Sequence, residues 1–337
     1  MKKILITGAQ GFIGSVLTEK LQKKFKGKYE IIGTDIGFFK NCKLIKFKDP
    51  VKIIQKDIRF FPRNMLKNVY AVVHLAALSN DPIGNINKKL TYDINVNGTK
   101  KLALNAKKMG VEKFIFSSSC IMYGSSSAKS VNEKSTLKPL TEYAKSKVNA
   151  EKILKKIASK NFSPIFLRNG TIYGFSPRIR TDTVLNNFIA QAYTKQKIDI
   201  YGDGLPFRPV VHVDDVCNII AEFINVKKDK VHNQAYNIGD EKLNIQIKNL
   251  SKSVIKHFKK AKVHILSKKD VDQRTYLASF KKIKKLFPKF KFKKTPSFAV
   301  SELKKILEKY KINKNLYFDE KFVRLKYLQK KFPKLLA

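Results

Sequence analysis

Short apolar runs alternate with longer mixed segments over the first 160 of the 337 residues. Six of these runs are predicted strands, and they cover residues 3–7, 29–35, 52–56, 71–75, 113–117 and 164–168. Helical patterns lie near 86–109 and 142–160, and another follows the first strand, where one face carries Ile13, Val16, Leu17 and Leu21. Strands that alternate with helices predict βαβ units and a parallel sheet.

The alternation loosens beyond about residue 175. Glycine, proline and aromatic residues cluster between 170 and 210, a helix is predicted over 214–226, and the stretch 281–337 has a helical, lysine-rich pattern. We therefore predict an α/β fold, a Rossmann-type doubly wound parallel sheet with a smaller interleaved α/β domain. The first domain is expected over 1–170 with a contribution from about 205–240, and the second mainly over 171–337.

Composition narrows the class of protein. Hydrophobic residues make up 43% of the chain, which is enough for a sizeable core. The net charge of +44 suits nucleic-acid binding, but only eight of the 70 basic residues are arginine and the lysines are spread along the chain. We therefore expect no nucleic-acid partner. No apolar run reaches the length of about 18 residues that a membrane span requires. The cysteines Cys42, Cys120 and Cys217 lack metal-ligand or disulfide spacing, so a reducing cytoplasm and no metal are expected.

A glycine-rich segment, residues 8–14, lies between the first strand and its helix. Gly8, Gly11 and Gly14 permit a tight turn and a close approach of the backbone to a pyrophosphate. We call this segment the glycine loop, and its other candidate contacts are Gln10, Phe12 and Ile13. Asp35 ends the second strand 21 residues after Gly14, where a carboxylate accepts hydrogen bonds from ribose hydroxyls and repels a 2′-phosphate. The expected cofactor is therefore NAD rather than NADP.

A tyrosine and a lysine with helical spacing are candidates for proton transfer. Tyr143 and Lys147 share one helix face, and the positive charge of the lysine is expected to lower the tyrosine pKa. Ser117 and Ser119 end a strand, and Ser119 precedes the tyrosine by 24 residues. Ser119 can donate a hydrogen bond to an oxygen that becomes a carbonyl. Alternatively, Tyr143 and Lys147 are simply two residues on a solvent-exposed face of a helix in a lysine-rich chain, with no catalytic role.

The serine, tyrosine and lysine together resemble the catalytic set of the short-chain dehydrogenase/reductase superfamily. From Met1 to about Arg274 the chain is similar to the extended branch of that superfamily, the NAD-dependent epimerase/dehydratase family, which includes UDP-glucose 4-epimerase. The resemblance implies catalytic roles for Ser119, Tyr143 and Lys147. It also implies further cofactor contacts at Asp57, Ile58, Leu75, Ala76, Ala77, Asn95 and Ser117. The implied substrate contacts are Ser119, Thr171, Asn187, Arg208 and Arg274, with Arg208 on the pyrophosphate.

The implied activity is NAD-dependent epimerisation of a nucleotide sugar. Hydride leaves C4 of the sugar, a transient 4-keto intermediate forms, and hydride returns to the other face. One alternative is an NAD(P)H-dependent reductase of nucleotide-4-keto sugars, which uses the same residues. A third possibility is a nucleotide-sugar-binding protein that has lost catalysis, which the intact Ser119, Tyr143 and Lys147 argue against. The resemblance further implies a homodimer formed by the helices near 86–108 and 143–160, and a role in surface polysaccharide synthesis.

Several positions depart from the family pattern. Cys120 and Ile121 occupy the places where the 4,6-dehydratases carry an acidic pair, so dehydration is not expected. Cys120 is predicted to be a small buried residue rather than a catalytic thiol. Arg178 and Arg180 are candidates for contact with phosphate or an acidic sugar, with loop capping as the alternative. His212 is expected to be structural.

Overall fold

Most of the chain is built around one seven-stranded parallel sheet. The structure, a computed structural model, describes residues 1–126, 130–267, 274–313, 315 and 320–333. The strand order is β3-β2-β1-β4-β5-β6-β10, and neighbouring strands run parallel throughout. The strands of this sheet are β1 (Lys3–Thr7), β2 (Glu30–Asp35), β3 (Lys52–Gln55), β4 (Val69–His74), β5 (Lys113–Ser119), β6 (Ser163–Asn169) and β10 (Gln234–Ile238).

Two smaller sheets complete the described strands. In the first, β9 (Phe207–His212) pairs in parallel with β7 (Thr171–Tyr173) and antiparallel with β11 (Asn244–Gln246). In the second, β8 (Lys197–Tyr201) pairs in parallel with β12 (Lys262–Leu266). The larger helices are α1 (Phe12–Lys24), α4 (Thr99–Lys108), α5 (Glu142–Ile157), α6 (Val184–Lys195), α7 (Val213–Asn225), α8 (Ile247–Ile255), α10 (Pro296–Lys309) and α11 (Arg324–Lys331). Shorter helices are α2 (Asp81–Ile86), α3 (Lys88–Tyr92) and α9 (Lys281–Leu286).

Alternate residues of the central strands fill two separate layers of core. On β1, Ile4 and Ile6 face one hydrophobic cluster and Leu5 faces the other, and Val73 and Val72 divide in the same way on β4. A parallel sheet that is covered on both faces has this arrangement. The fold class predicted from the sequence is therefore confirmed, and the six predicted strands are present with ends that differ by at most two residues.

The structure differs from the prediction in two helical regions. The pattern over 86–109 is interrupted, because Asn87 has extended backbone angles and caps α3, and a π-helical turn over Asp93–Gly98 precedes α4. The stretch 281–337 is not continuously helical: residues 287–295 between α9 and α10 have no helix, and Pro296 begins α10. The last residues of this stretch, 334–337, lie outside the described part of the chain.

The chain returns to the first half of the molecule after its second half has begun. Strand β10 pairs with β6 at the edge of the central sheet, and α7 packs against α1. Both elements lie within the 205–240 region, which was expected to contribute to the first domain. The carboxyl ends of the parallel strands and the segments around β7, β8 and β9 therefore enclose a common space.

Candidate active site

The candidate site is a cavity of about 650 Å³ at the carboxyl ends of the parallel strands. Both halves of the chain line it, the first with the glycine loop and the ends of β2, β4 and β5, the second with residues around β7, β8 and β9. Of the predicted site residues, those that line this cavity are Gly8, Gly11, Phe12, Ile13, Gly14, Asp35, Asp57, Ile58, Leu75, Ala76, Ala77, Ser117, Ser119, Tyr143, Lys147, Thr171, Asn187, Arg208 and Arg274.

The glycine loop packs so tightly that side chains are excluded at two positions. Gly8 has φ +69°, and a Cβ there would lie 2.8 Å from the backbone nitrogen of Ala76. A Cβ on Gly14 would lie 2.1 Å from the carbonyl oxygen of Gly8. Helix α1 begins after Gly11 with no side-chain cap and no acidic residue in its first turn. Its N-terminal N–H groups therefore suit an anionic ligand such as a pyrophosphate.

The Asp35 carboxylate lines the cavity at the end of β2. One oxygen accepts a hydrogen bond from the backbone N–H of Gln10 at 2.9 Å, and the other from that of Gly37 at 2.8 Å. Burial raises the pKa of Asp35, and these hydrogen bonds oppose the rise. The Gln10 side chain does not line the cavity, because its amide nitrogen donates to Asp49 instead. Gln10 therefore contributes its backbone to the position of Asp35.

A buried histidine positions the loop at residues 75–77. His74 contacts the hydroxyl of Thr7 at 2.7 Å and that of Thr99 at 2.8 Å, and burial lowers its pKa to about 3. The Thr7 hydroxyl also accepts from the backbone N–H of Ala76. A neutral histidine thus connects β1, β4 and α4, and holds the loop against the cavity.

Asn95, predicted as a cofactor contact, has a positioning role and does not line the cavity. Its amide bonds both backbone groups of Leu78, at 2.8 and 3.0 Å, and donates to the Ser146 hydroxyl at 3.0 Å. The π-helical turn that carries Asn95 is thereby tied to α5. Asp57 does line the cavity, but its carboxylate is already paired with Arg59 at 2.6 Å.

Ser119, Tyr143 and Lys147 come together in the wall of the cavity. Thr141 caps α5 by accepting from the N–H of Ala144, and the two catalytic candidates follow on the inward face of the helix. Tyr143 is hydrogen-bonded to the Ser119 side chain. The Lys147 ammonium donates to the Ser117 carbonyl at 2.7 Å and lies 5.7 Å from the centre of the Tyr143 ring.

The expectation that Lys147 lowers the pKa of Tyr143 is wrong for the free protein. Burial, assisted by the negative charge of Asp81, raises the pKa of Tyr143 to about 12, whereas Arg180 and the hydrogen bond from Ser119 act in the opposite direction. Burial also lowers the pKa of Lys147 to about 7, with Glu151 opposing. Desolvation is the largest cause of both shifts, so Tyr143 is a phenol before ligands bind.

A buried ion pair joins the helix that carries Tyr143 and Lys147 to the central sheet. Glu151, two turns after Tyr143, accepts from Arg168 at 2.7 Å and from the Ser118 hydroxyl at 2.7 Å. Ser118 and Arg168 lie on β5 and β6, so this cluster joins α5 to two strands of the sheet. The Cys120 thiol donates to the Arg168 carbonyl at 3.1 Å and is fully buried. Burial raises its pKa far above the ordinary value, as expected for an unreactive thiol.

The substrate candidates occupy the part of the cavity formed by the second half of the chain. Arg274 pairs with Asp81 at 2.6 Å, and Asp81 also accepts from the Thr141 hydroxyl. Asn187 uses its amide within the protein, donating to Thr181 and accepting from Gln191. Phe188, Ile200 and Tyr201 line the same region and provide an apolar surface.

The two arginines at 178 and 180 have different roles. Arg178 is fully buried and binds Asp49 at 2.7 Å and the Ser15 hydroxyl at 3.0 Å, so it holds a loop against α1. Arg180 lines the cavity and pairs with Asp182 at 2.6 Å. Sequence reasoning also missed Arg324 in α11, which lines the cavity although it lies beyond the family resemblance. The one feature of the sequence that could have drawn attention to Arg324 is that arginine is rare in this chain.

Clusters of metal-binding side chains and membrane-spanning helices are both absent from the described residues. No group of three or more His, Cys, Asp or Glu side chains there is arranged to hold a metal ion. No described helix combines the length and apolar character needed to cross a lipid bilayer.

Comparison with known proteins identifies relatives over most of the chain. Residues 4–239 match the model of the NAD dependent epimerase/dehydratase family. The dTDP-D-glucose 4,6-dehydratase of Homo sapiens is 30% identical over 268 residues, which are 77% of this chain and 74% of that protein. A putative UDP-glucose 4-epimerase of Methanocaldococcus jannaschii is 30% identical over 247 residues, 71% of this chain and 77% of that protein.

Solved structures resemble the fold over nearly its whole length. The UDP-glucuronic acid 4-epimerase of Bacillus cereus, solved with UDP-glucuronic acid and NAD, superposes with a TM-score of 0.80 at 24% identity. The match covers 91% of this chain and 99% of that one. TunA, an NAD-dependent NDP-hexosamine 5,6-dehydratase, superposes with a TM-score of 0.81 at 21% identity, over 91% of this chain and 98% of its own. At these identities the likeness shows the fold alone.

Proposed function

The chain belongs to the NAD-dependent epimerase/dehydratase family, and from that premise we propose that it is a nucleotide-sugar epimerase acting through a transient 4-keto sugar. The observation that carries this proposal is the content of one cavity. The glycine loop, Asp35, Ser119, Tyr143 and Lys147 line the part formed by the first half of the chain. Arg208 and Arg274 line the part formed by the second half.

The residues fit the dinucleotide that the family uses. The excluded Cβ positions at Gly8 and Gly14 allow backbone to approach a phosphate, and the Asp35 carboxylate suits a ribose diol. When bound, NAD supplies a hydride acceptor with a cationic ring. The protein's own part is to orient the sugar and to move one proton.

Tyr143 is the proposed proton acceptor for the sugar C4 hydroxyl, and Ser119 the donor of a hydrogen bond to the resulting carbonyl oxygen. Because the tyrosine pKa is about 12 in the free protein, cationic neighbours must lower it in the loaded site. Arg180 already acts in this direction. Lys147 contributes its positive charge when protonated, next to the Tyr143 ring.

The carboxylates near Tyr143 favour epimerisation over loss of water. Asp81 is bound by Arg274 and Thr141, and Asp182 by Arg180 and Asn80. Position 120 holds a buried thiol and position 121 an isoleucine, where the resemblance places the acidic pair of the dehydratases. Without a free acid and base beside the sugar, elimination at C5 and C6 has no evident catalyst.

The composition of the purified protein tests the use of the cofactor. Denaturation should release close to one equivalent of NAD(H) per chain, because a hydride that returns to the same sugar leaves no net cofactor turnover. A chain that contains no nucleotide and consumes NADH or NADPH with a 4-keto sugar would instead be a reductase. Released NADPH would contradict the role proposed for Asp35.

We also propose that the protein forms a homodimer through α4 and α5, as the family resemblance implies. The region around these helices exposes large apolar side chains, with Tyr92 48% and Leu104 37% exposed. Lysines such as Lys100, Lys101 and Lys152 are exposed on the same helices. Paired lysines repel each other across a symmetric interface, so the dimer should strengthen as salt screens them.

A further inference from the structure

Arg324 differs in its partners from two other arginines that line the cavity. Arg180 pairs with Asp182 and Arg274 with Asp81, each at 2.6 Å. By contrast, no carboxylate oxygen of the described residues lies within 4.0 Å of an Arg324 nitrogen. Arg324 is only 3% exposed. A buried cation is normally balanced by an anion, so a counter-charge is missing here.

The groups hydrogen-bonded to the Arg324 guanidinium are neutral. Two charged residues act on it from farther away, Asp182 favouring its charged form and Arg180 opposing it, and these two are already paired with each other. The Arg324 Nη2 donates to the carbonyl oxygens of Arg178 at 2.7 Å and Ile179 at 3.1 Å, and its Nη1 donates to that of Lys321 at 3.4 Å. Its Cζ lies 4.5 Å from the centre of the Phe39 ring. The Cys42 thiol is a further hydrogen-bond partner, and burial raises the pKa of that thiol. Burial lowers the pKa of Arg324 to about 10, so the group still carries its charge at neutral pH.

The helix that Arg324 begins adds to the unbalanced positive charge. Arg324 is the first residue of α11, which has no side-chain cap and no acidic residue in its first turn. The N-terminus of a helix carries a partial positive charge, so a cation there is unfavourable and an anion favourable. The guanidinium and the helix terminus thus both favour a negatively charged group at this wall of the cavity.

The segment that Arg324 binds is tied directly to the glycine loop. Ser176 donates to the Phe12 carbonyl at 2.7 Å, and Arg178 donates to the Ser15 hydroxyl at 3.0 Å. Phe39, beneath the guanidinium, lies in the stretch that follows Asp35 and also lines the cavity. Arg324 is therefore on the side of the cavity formed by the first turn of α1.

We propose that Arg324 binds a phosphate group of the nucleotide in this cavity. The C-terminal segment, residues 320–333, then forms one wall of the site, and the phosphate supplies the missing counter-charge. The inference rests on the proposed function in that the cavity takes a phosphate-bearing nucleotide. Two diphosphates share this chemistry, that of the dinucleotide cofactor and that of the substrate. The position beside α1 favours the cofactor.

Calorimetry on the full chain, after bound nucleotide has been removed, tests this assignment. Three probes are titrated separately: NAD, UDP and adenosine. Arg324→Gln should weaken NAD binding tenfold or more and leave adenosine, which has no phosphate, unchanged. The matched control is Lys326→Gln, which removes an exposed charge from the same helix and should bind all three probes as the wild type does. Weakened UDP with unchanged NAD would assign the phosphate to the substrate.

Three results would count against these assignments, and they are distinguishable. Equal dissociation constants for NAD and UDP in the wild type and in Arg324→Gln would overturn the role of Arg324 alone. Loss of the fold in both Arg324→Gln and Arg324→Met would also overturn it, because the guanidinium would then be needed by the protein itself and not by a ligand. A wild-type chain that binds neither NAD nor UDP would remove the proposed function and with it this inference.

Discussion

Tyr143 and Lys147 lie one turn apart on α5, and burial moves their pKa values in opposite directions. The pKa of Tyr143 rises to about 12, and the pKa of Lys147 falls to about 7. Both shifts oppose the charged forms that proton transfer requires. At neutral pH the free site therefore holds Tyr143 as a phenol and Lys147 only partly protonated, and ligand charges must shift both groups toward their charged forms.

Removal of the Tyr143 hydroxyl tests its role as the proton acceptor. Tyr143→Phe should lower kcat by a factor of about 10² to 10⁴, the usual contribution of general base catalysis, and leave UDP binding unchanged. Tyr92→Phe, which removes the hydroxyl of a half-exposed tyrosine, is the control and should retain full activity. An active Tyr143→Phe variant would exclude the tyrosine as the base.

The buried lysine should be visible in the pH dependence of stability. Because the pKa of Lys147 is about 7 in the folded chain and 10.5 ordinarily, the unfolded state binds more protons between these values. The free energy of unfolding should therefore increase as pH rises through this window. In Lys147→Met, denaturant unfolding at pH 7 and 9.5 should show a smaller increase. Lys145→Met, an exposed neighbour, should match the wild type, and an unchanged slope in Lys147→Met would contradict the shift.

The sequence predicted that Ser119, Tyr143 and Lys147 lie together, because their relationship is local or topological. The i, i+4 spacing places Tyr143 and Lys147 on one face, and a parallel sheet places Ser119 at the edge where the cavity forms. The pKa values were not predictable, since they depend on burial and on Asp81 and Arg180, which are distant in sequence. Asn95 and Gln10 were predicted as cofactor contacts, whereas neither lines the cavity and both hold neighbouring segments in place.

At the scale of elements, the glycine loop depends on close packing between β1, α1 and the segment after β4. A methyl group on Gly14 would overlap the Gly8 carbonyl oxygen, so the turn must open. Gly14→Ala should weaken NAD binding at least tenfold by calorimetry and lower stability by a few kcal/mol. Gly110→Ala, at a left-handed position with open space around it, should lower stability by about 1 kcal/mol without affecting NAD. Equal NAD affinity in Gly14→Ala and the wild type would contradict the account.

The strands were predictable and the helices less so, for a physical reason. Buried strands such as Ile4–Ile6 are apolar whatever surrounds them, because both faces of the sheet are covered. The helical region from 81 to 108 is divided at Asn87, whose side chain caps α3, and at a π-helical turn. The turn carries Asn95, which bonds to neighbouring segments. The periodic spacing of hydrophobic residues in the sequence carries no information about such hydrogen bonds.

At the scale of the whole molecule, the C-terminal segment was the least predictable part. Its pattern indicated a lysine-rich solvated helix, yet Leu328 is fully buried beside Ile58 and Ile83, and Arg324 reaches the cavity. The Phe38 and Phe332 rings are 4.9 Å apart across this contact. Only the assembled fold brings these residues together, and the predicted domain boundaries remain predictions.

The proposed dimer is tested by its mass in solution. Leu104→Glu places a carboxylate in the apolar part of the α4 and α5 surface and should shift the protein to monomer by light scattering. Leu140→Glu, an exposed leucine outside these helices, is the control. A wild-type chain that remains monomeric at high salt would contradict the proposal.

The most direct test of the epimerase uses a nucleotide sugar with deuterium at C4. The purified chain, without added cofactor, should convert it to the C4 epimer with the deuterium still at C4, because the hydride leaves and returns within one site. Nuclear magnetic resonance of the product identifies both the configuration and the label. A 4-keto-6-deoxy product, or an epimer whose deuterium has been lost to solvent, would contradict the account.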